Sequence, residues 1–89
     1  MELKDTVDGM LSSDYKERFK AEYRQLQIRG SKLQAVVDGI DNGTLGFTPS
    51  CPKHLLAAQM TCMLSYLNIL RERARIEEIE LDWLECKGA

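Results

Sequence analysis

The side chains of this sequence that could do chemistry are donors for an anionic ligand. The start of a predicted helix near Pro52 offers free backbone N–H groups and the positive end of a helix dipole. A tyrosine ring among guanidinium groups can stack a base while a guanidinium holds a phosphate. Seven residues of these types are the candidate ligand-binding residues: Tyr15, Arg18, Arg24, Thr48, Ser50, Lys53 and His54.

These residue types also have a purely structural interpretation. Tyr15 and Tyr23 lie on or near an apolar helix face, where a tyrosine is commonly a core residue whose hydroxyl reaches water. Arg18 and Arg24 can instead pair with surface carboxylates, which stabilises a protein by only about 0 to 1 kcal/mol. His54 can be an exposed residue near a helix cap. The sequence leaves both interpretations open.

Patterns for catalysis or metal binding are weak. The chain has one histidine, His54, and the Cys51-x-x-His54 pair lacks the second pair of ligands that a closed zinc site needs. Neither the phosphate-binding P-loop motif nor the dinucleotide-binding glycine motif occurs. We therefore expect no catalytic residue, no metal and no cofactor, and an enzyme is the least favoured class.

Charge and hydropathy argue against two classes of partner. The net charge is −2, whereas nucleic-acid-binding domains are usually basic. Arg71, Arg73 and Arg75 are surrounded by glutamates, which predicts a salt-bridged helix exterior with Arg73 paired to Glu77. No apolar run reaches the roughly 18 residues of a membrane span. We expect neither double-stranded nucleic acid nor a membrane as partner.

The N-terminus and the cysteines indicate the compartment. The first residues lack the basic stretch followed by an apolar stretch that forms a signal peptide. The odd set of Cys51, Cys62 and Cys86 is typical of free thiols in a reducing compartment. We expect a cytoplasmic protein.

Hydrophobic periodicity predicts a single all-α domain over residues 1–89. Its segments are a short helix, a long helix, a loop, a second long helix and a tail, over residues 2–11, 14–40, 41–53, 54–77 and 78–89. The two long helices would form an antiparallel hairpin because only the loop joins them.

Several residues mark the predicted helix boundaries. Asp14 followed by Glu17 has the N-cap and N3 spacing of a helix start. Ser50 is the predicted N-cap of the second long helix, with Pro52 tolerated in its first turn. Gly30 lies within the apolar seam of the first long helix, where it predicts the close approach of another helix or of a ligand.

The apolar stripes predict how the helices pack. The first long helix carries a heptad seam of Phe19, Tyr23, Leu26, Gly30, Leu33, Val37 and Ile40. The second carries a matching stripe of Leu56, Met60, Met63, Leu67, Leu70 and Ala74. The short N-terminal helix has one apolar face, formed by Leu3, Val7, Met10 and Leu11.

A further stripe on the second long helix predicts self-assembly. It lies beside the first stripe and consists of Leu55, Cys62, Tyr66, Ile69 and Ile76. One partner helix cannot cover two stripes, so we expect the short N-terminal helix to cover part and another copy of the chain to cover the rest. The prediction is a homo-oligomeric bundle, because an isolated hairpin buries too little apolar surface.

The tail is ambiguous. Ile79, Leu81 and Trp83 alternate with acidic residues, which is typical of an extended segment, although the helical stripe could also continue to Trp83. We expect the helix to fray into an extended tail, with Trp83 anchoring it against a helix or a neighbouring subunit.

The two long helices resemble a family of small helical-hairpin proteins from crAss-like and Firmicutes phages. In the first helix the matching residues are Glu17-Arg18-Phe19, Glu22, Gln25-Leu26, Arg29 and Lys32-Leu33. In the second they are Leu55, Gln59, Met63, Tyr66, Ile69-Leu70, Arg73 and Ile76-Glu77. More distantly, the layout is similar to the hairpin domain of phage sponge proteins, which inhibit CBASS and Thoeris immunity.

The second resemblance implies a function. Sponge proteins are small helical homo-oligomers, commonly hexamers, that sequester cyclic oligonucleotide or cyclic ADP-ribose signals between subunits. The hypothesis is a phage-encoded, non-enzymatic inhibitor of this kind, acting in the cytoplasm of the infected bacterium with a signalling nucleotide as its ligand. The alternative is an inhibitor or adaptor that docks an apolar helix face and its acidic tail on a host or phage protein.

Overall fold

The computed structural model describes residues 2–81, and every regular element in that range is helical. A single 3-10 turn, Leu3–Thr6, leads directly into the short helix α1, Val7–Met10. Two long helices follow, α2 over Tyr15–Asn42 and α3 over Lys53–Glu77. The all-α fold class is confirmed, whereas the assembly of several copies stays a prediction. None of these helices is long and apolar enough to cross a membrane.

The ends of α2 follow from local sequence. Asp14 caps the N-terminus, where its Oδ1 accepts a hydrogen bond from the backbone N–H of Lys16 at 3.0 Å, as the sequence predicts. The helix ends at Asn42 because Gly43 adopts a left-handed conformation with φ of +70°. The N–H of Thr44 then bonds to the carbonyl of Gly39 at 2.9 Å, which completes a Schellman motif.

The start of α3 differs from the prediction. Pro52 is the N-cap and makes no side-chain cap hydrogen bond, so the helix begins at Lys53. The prediction that Ser50 caps this helix is therefore wrong. Proline lacks a backbone N–H and its fixed φ suits the residue that enters a helix, so it can begin a helix without a capping side chain.

The predicted seams of α2 and α3 form the core. Tyr23 and Leu70 are fully buried at its centre, and the pairing of Tyr15 with Glu77 shows that the helices run antiparallel. The larger cluster around them confirms predicted seam residues, namely Phe19, Leu26, Leu67 and Ala74. It also includes Ile79, beyond the end of α3, which the sequence predicts to lie in the tail.

The N-terminal segment packs in an unexpected place and orientation. Its helical turns contact α2 and, within residues 2–81, make no contact with α3. The prediction that it covers part of the second stripe of α3 is therefore wrong. Its contact face is formed by Thr6 and Gly9, where a Cβ on Gly9 would lie only 3.0 Å from the Cβ of Ala21. Small residues form this contact because they let the two backbones approach closely. The larger apolar residues Val7 and Leu11 remain exposed.

The second stripe of α3 is on the surface of the single chain. Leu55, Ile69 and Ile76 are 53%, 58% and 64% exposed, and Cys62 and Tyr66 are exposed as well. A chain of this size rarely leaves so many apolar side chains along one helix face without a partner. We call these five residues the outer stripe of α3.

The C-terminal end of α3 turns back on itself. Glu78 adopts a left-handed φ of +59°, and the N–H of Ile79 bonds to the carbonyl of Ala74 at 2.9 Å. This is a second Schellman motif, and it brings the side chain of Ile79 into the core. The predictions for Trp83, Cys86 and the rest of the tail lie outside the described residues.

Candidate ligand site

The structure separates the sequence-predicted ligand residues into distant groups. Tyr15 and Arg18 lie at the first turn of α2, next to the last turn of α3. Thr48, Ser50, Lys53 and His54 lie at the opposite end of the hairpin, in the loop and at the first turn of α3. From Tyr15 to Asp41, α2 rises about 39 Å, at 1.5 Å per residue. One chain therefore cannot bring both groups to one small ligand.

At the first end, Tyr15 joins the two helices. Its hydroxyl donates to Glu77 Oε1 at 2.8 Å and accepts from Arg73 Nη2 at 2.8 Å. Arg73 also bonds to Glu77, as predicted, and its guanidinium lies 5.1 Å from the ring centre of Phe19. The hydrogen bond to Glu77 holds the phenol proton and raises the pKa of Tyr15.

The two remaining arginines of the predicted set have different surroundings. Arg18 donates from Nη1 to the carbonyl of Ser12 at 2.8 Å, which ties the turn before α2 to the helix. Arg24 is half-buried midway along the N-terminal half of α2. Neither side chain adjoins the residues of the loop.

At the other end, the predicted anion-binding residues are exposed. Lys53 forms an ion pair with Asp41, so its charge is already opposed by a carboxylate at the end of α2. Thr48, Ser50 and His54 are exposed. No cluster of residues able to hold a metal ion occurs within the described part of the chain.

A concave site lies elsewhere, between the long helices. It has a volume of about 210 Å³ and lies on the side of α3 away from the outer stripe. Its floor is apolar, formed by methionine and leucine side chains of α3, while α2 supplies Gly30 and polar side chains. We call it the main groove; it is lined by Gln27, Gly30, Ser31, Gln34, Met60, Met63, Leu64, Leu67 and Arg71.

Gly30 keeps the main groove open. A Cβ at this position would meet only the terminal methyl carbon of Met63, at 4.0 Å. The glycine is thus not required by a close backbone approach between α2 and α3. Its lack of a side chain leaves free space above the methionine floor.

Arg71 is the fixed cation of the main groove. Its Nε donates to the buried hydroxyl of Tyr23 at 2.8 Å, and its Nη1 donates to Asn68 Oδ1 at 3.1 Å. The guanidinium carbon also lies 5.8 Å from the centre of the Tyr23 ring. These contacts hold the guanidinium plane in one orientation, so a ligand would not have to order it on binding.

A second hollow adjoins the first across Arg71. It has a volume of about 190 Å³ and is lined by Arg71, Ala74, Arg75, Ile79 and Leu81. Arg75 pairs with Glu72, and this contact lowers the pKa of the Glu72 carboxyl. The fold-back of Ile79 builds one wall of this hollow, so it exists only because α3 ends in a Schellman motif. We call it the end hollow.

The two hollows suit a ligand with two linked parts. Each is smaller than the roughly 300 to 1,000 Å³ of a pocket for a drug-sized molecule, so each can hold one base or one sugar–phosphate unit. The apolar floor with flexible thioethers can pack against the face of a base. Arg71 between them can donate paired N–H groups to a phosphate.

Sequence reasoning missed this site. Arg71 occurs within Arg71-Glu72-Arg73-Ala74-Arg75, whose alternating arginines are typical of an ordinary salt-bridged helix exterior. Its distinguishing feature is the hydrogen bond to Tyr23, 48 residues away in the chain, which no local pattern reveals. Gly30 was the one signal available from the sequence.

A comparison with protein-family models decides the family. The Sequestin model matches residues 13–76, which cover α2, the loop and all of α3 except its last residue. The chain belongs to the Sequestin family. Comparisons with curated proteins and with solved structures give no match.

The Sequestin assignment bears on the predictions of function. The family name indicates a protein that binds and sequesters, and not one that catalyses a reaction. It fits the predicted class of small helical sequestering proteins. The matched range includes all residues of the main groove and most of the end hollow, which extends to Ile79 and Leu81.

Proposed function

We propose that this Sequestin sequesters a nucleotide signal of bacterial immunity, either a cyclic oligonucleotide or a cyclic ADP-ribose, and thereby protects an infecting phage. The observation that carries the proposal is the fixed guanidinium of Arg71 between two hollows of similar size. A cyclic dinucleotide or a cyclic ADP-ribose has two base or sugar units joined through phosphate, which matches this arrangement.

The proposed mechanism is binding without chemistry. One base packs on Met63 and Leu64 in the main groove, beside the side chains of Gln27 and Gln34 on α2. The phosphate lies against Arg71, and the second unit occupies the end hollow beside Arg75. Binding lowers the free concentration of the signal, so the host effector that the signal activates stays inactive.

Self-association forms part of the proposal. The exposed outer stripe of α3 supports a homo-oligomer. As part of the proposal, this homo-oligomer acts in the cytoplasm of the infected host. The ligand-binding role predicted from the sequence for seven residues also depends on this self-association. Tyr15, Arg18, Arg24, Thr48, Ser50, Lys53 and His54 remain a prediction for contacts made across a subunit boundary, because a single chain separates them.

Binding by Arg71 variants tests the proposal. Native mass spectrometry and calorimetry would measure binding of cyclic dinucleotides, cyclic trinucleotides and cyclic ADP-ribose isomers to the wild-type chain and to Arg71→Gln. We expect one class of nucleotide to bind, and the substitution to weaken its binding about 10- to 100-fold, because a charged hydrogen bond contributes about 1.5 to 3 kcal/mol.

Two further variants make the test specific. Arg29→Gln removes an exposed arginine of α2 that does not line either hollow, and we expect it to leave the affinity unchanged. Gly30→Leu fills the main groove from its α2 side and should abolish binding while the helical circular dichroism persists. Wild-type affinity in both Arg71→Gln and Gly30→Leu would rule out the groove, and an empty protein across the whole panel would rule out the function.

A second candidate function is a protein-binding inhibitor or adaptor. The observation in its favour is again the exposed outer stripe of α3, which an amphipathic helix of a host or phage protein could cover. The same nucleotide panel separates the two candidates, because this second function requires no nucleotide in the hollows.

A further inference from the structure

The outer stripe of α3 has the spacing of a helix-pairing seam. Leu55, Cys62, Ile69 and Ile76 follow one another at intervals of seven residues, and all are exposed. Tyr66 lies between them at the spacing of four and three that a heptad requires. This seam lies beside the face of α3 that packs on α2, and its side chains stay exposed although the hydroxyl of Tyr66 donates to Glu22 of α2.

We infer that the outer stripe pairs with the same stripe of a second copy, with the two α3 helices antiparallel about a two-fold axis near Ser65 and Tyr66. The inference rests on the self-association proposed above and adds its surface, its orientation and its register. Leu55 then lies opposite Ile76 of the second copy, and Cys62 lies opposite Ile69 of the second copy.

Side-chain size supports this register. In it the largest member of the seam, Tyr66, lies opposite Ser65 of the second copy. Arg73, which borders the seam and bonds to Tyr15 and Glu77 of its own chain, lies opposite Ala58. Large residues facing small ones let two helices interdigitate. A parallel pair would instead place Arg73 against Arg73 and Tyr66 against Tyr66.

Charge supports the antiparallel orientation. The first turn of α3 contains Lys53 and His54 and no acidic residue. At the other end Glu77 is the last helical residue and Glu78 and Glu80 follow it, while Arg75 of the last turn pairs with Glu72. Antiparallel pairing places the positive end of each helix dipole, with these cations, beside the carboxylates of the other copy. Parallel pairing would bring like-charged ends together.

The pairing has two consequences for the ligand sites. Arg71 follows Ile69 by two residues, which is about half a turn of helix, so the main groove stays open on the far side of the pair. The end that carries Tyr15 and Arg18 also comes to lie beside the Lys53 and His54 end of the second copy. The two groups of predicted anion-binding residues that one chain separates are thereby brought to the same end of the dimer.

Sedimentation of an interface variant tests the surface. We expect the wild-type chain to be a dimer or an assembly of dimers at micromolar concentration, and Ile69→Glu to raise its dissociation constant about 100-fold, because it buries a charge in the seam. Leu11→Glu is the matched control, since Leu11 is 79% exposed on the N-terminal segment that packs against the other side of α2, and we expect no change. A monomeric wild-type chain, or equal dissociation of both variants, would overturn the inference.

Disulfide trapping tests the orientation. In a chain with Cys51→Ser and Cys86→Ser, the remaining Cys62 is about 10 Å along the helix from Cys62 of an antiparallel copy, beyond the roughly 7 Å that a disulfide allows between Cα atoms. We expect no cross-link under mild oxidation, and a covalent dimer once Ile69→Cys is added. A cross-link through Cys62 alone would show a parallel pair and refute the orientation, while leaving self-association and the nucleotide proposal standing.

Discussion

At the scale of single residues, tyrosine hydroxyls and arginines join the two helices of the hairpin. On one side of the seam between α2 and α3, Tyr15 bonds to Glu77 and Tyr66 bonds to Glu22. On the other side, Tyr23 accepts a hydrogen bond from Arg71. The first side is closed by these pairs, whereas on the second side Gly30 leaves the main groove open. The difference decides which face of the hairpin can hold a ligand.

The hydrogen bonds of Tyr15 and Tyr66 make the free energy of unfolding depend on pH in the alkaline range. Hydrogen bonds to Glu77 and Glu22 raise the pKa of Tyr15 and of Tyr66 above the ordinary value of about 10. The folded chain therefore keeps protons that the unfolded chain releases. The stability from these bonds is fully present below about pH 10 and is lost as the pH rises through the folded-state pKa values.

We expect the free energy of unfolding in urea to fall above about pH 10, and to fall less steeply in a Tyr15→Phe, Tyr66→Phe double variant. Ultraviolet absorbance of tyrosinate, recorded in the same samples, would show the late titration of these two hydroxyls in the wild-type chain. An identical alkaline loss of stability in both proteins would mean that other groups cause it.

At the scale of elements, both long helices end in the same motif with different residues. Gly43 adopts the left-handed conformation after α2 at no steric cost, whereas Glu78 adopts it after α3 with a Cβ that crowds the backbone. The second turn persists because Ile79 gains a place in the core. Burial thus overrides local preference at this position.

Glu78→Gly should therefore stabilise the protein by about 0.5 to 1 kcal/mol. Glu78→Ala removes the same carboxylate from the negative end of the helix dipole but keeps the Cβ, so we expect a gain of only a few tenths of a kcal/mol. Gly43→Ala, at the end of α2, should lower the free energy of unfolding by about 1 kcal/mol, because it adds a Cβ to a left-handed residue. Urea denaturation of the three variants checks these values, and a Glu78→Gly chain no more stable than Glu78→Ala would contradict the argument.

At the scale of the whole molecule, α2 is the central layer. The N-terminal segment packs on one side of it and α3 packs on the other, so α3 is covered on one face only. A chain of this size has a small core, and the free energy of unfolding of such a domain is correspondingly low. Burial of the outer stripe of α3 by a second copy would increase this free energy of unfolding.

The thermal midpoint should accordingly rise with protein concentration, because association with a second folded copy stabilises the folded state by mass action. Scanning calorimetry of the wild-type chain over about a hundredfold range of concentration would show this rise, and Ile69→Glu should abolish it. A midpoint that is independent of concentration in the wild-type chain would indicate that the hairpin is stable alone.

The sequence by itself determined the helices and the seam between them. Heptad spacing identified the seam residues from Phe19 to Val37 and from Met60 to Ala74, because the helical period fixes which side chains share a face. Asp14 marked the start of α2 through its side-chain chemistry. These features depend on neighbours within a few residues, so a local pattern contains them.

Only the tertiary structure decided which surfaces are covered and where a ligand could lie. It placed the N-terminal segment on α2 through the small residues Thr6 and Gly9, although Val7 and Leu11 gave the stronger apolar signal. It also placed Arg71 against Tyr23 from the other helix. Both outcomes depend on how closely two backbones approach and on contacts between residues far apart in the chain, and periodicity records neither.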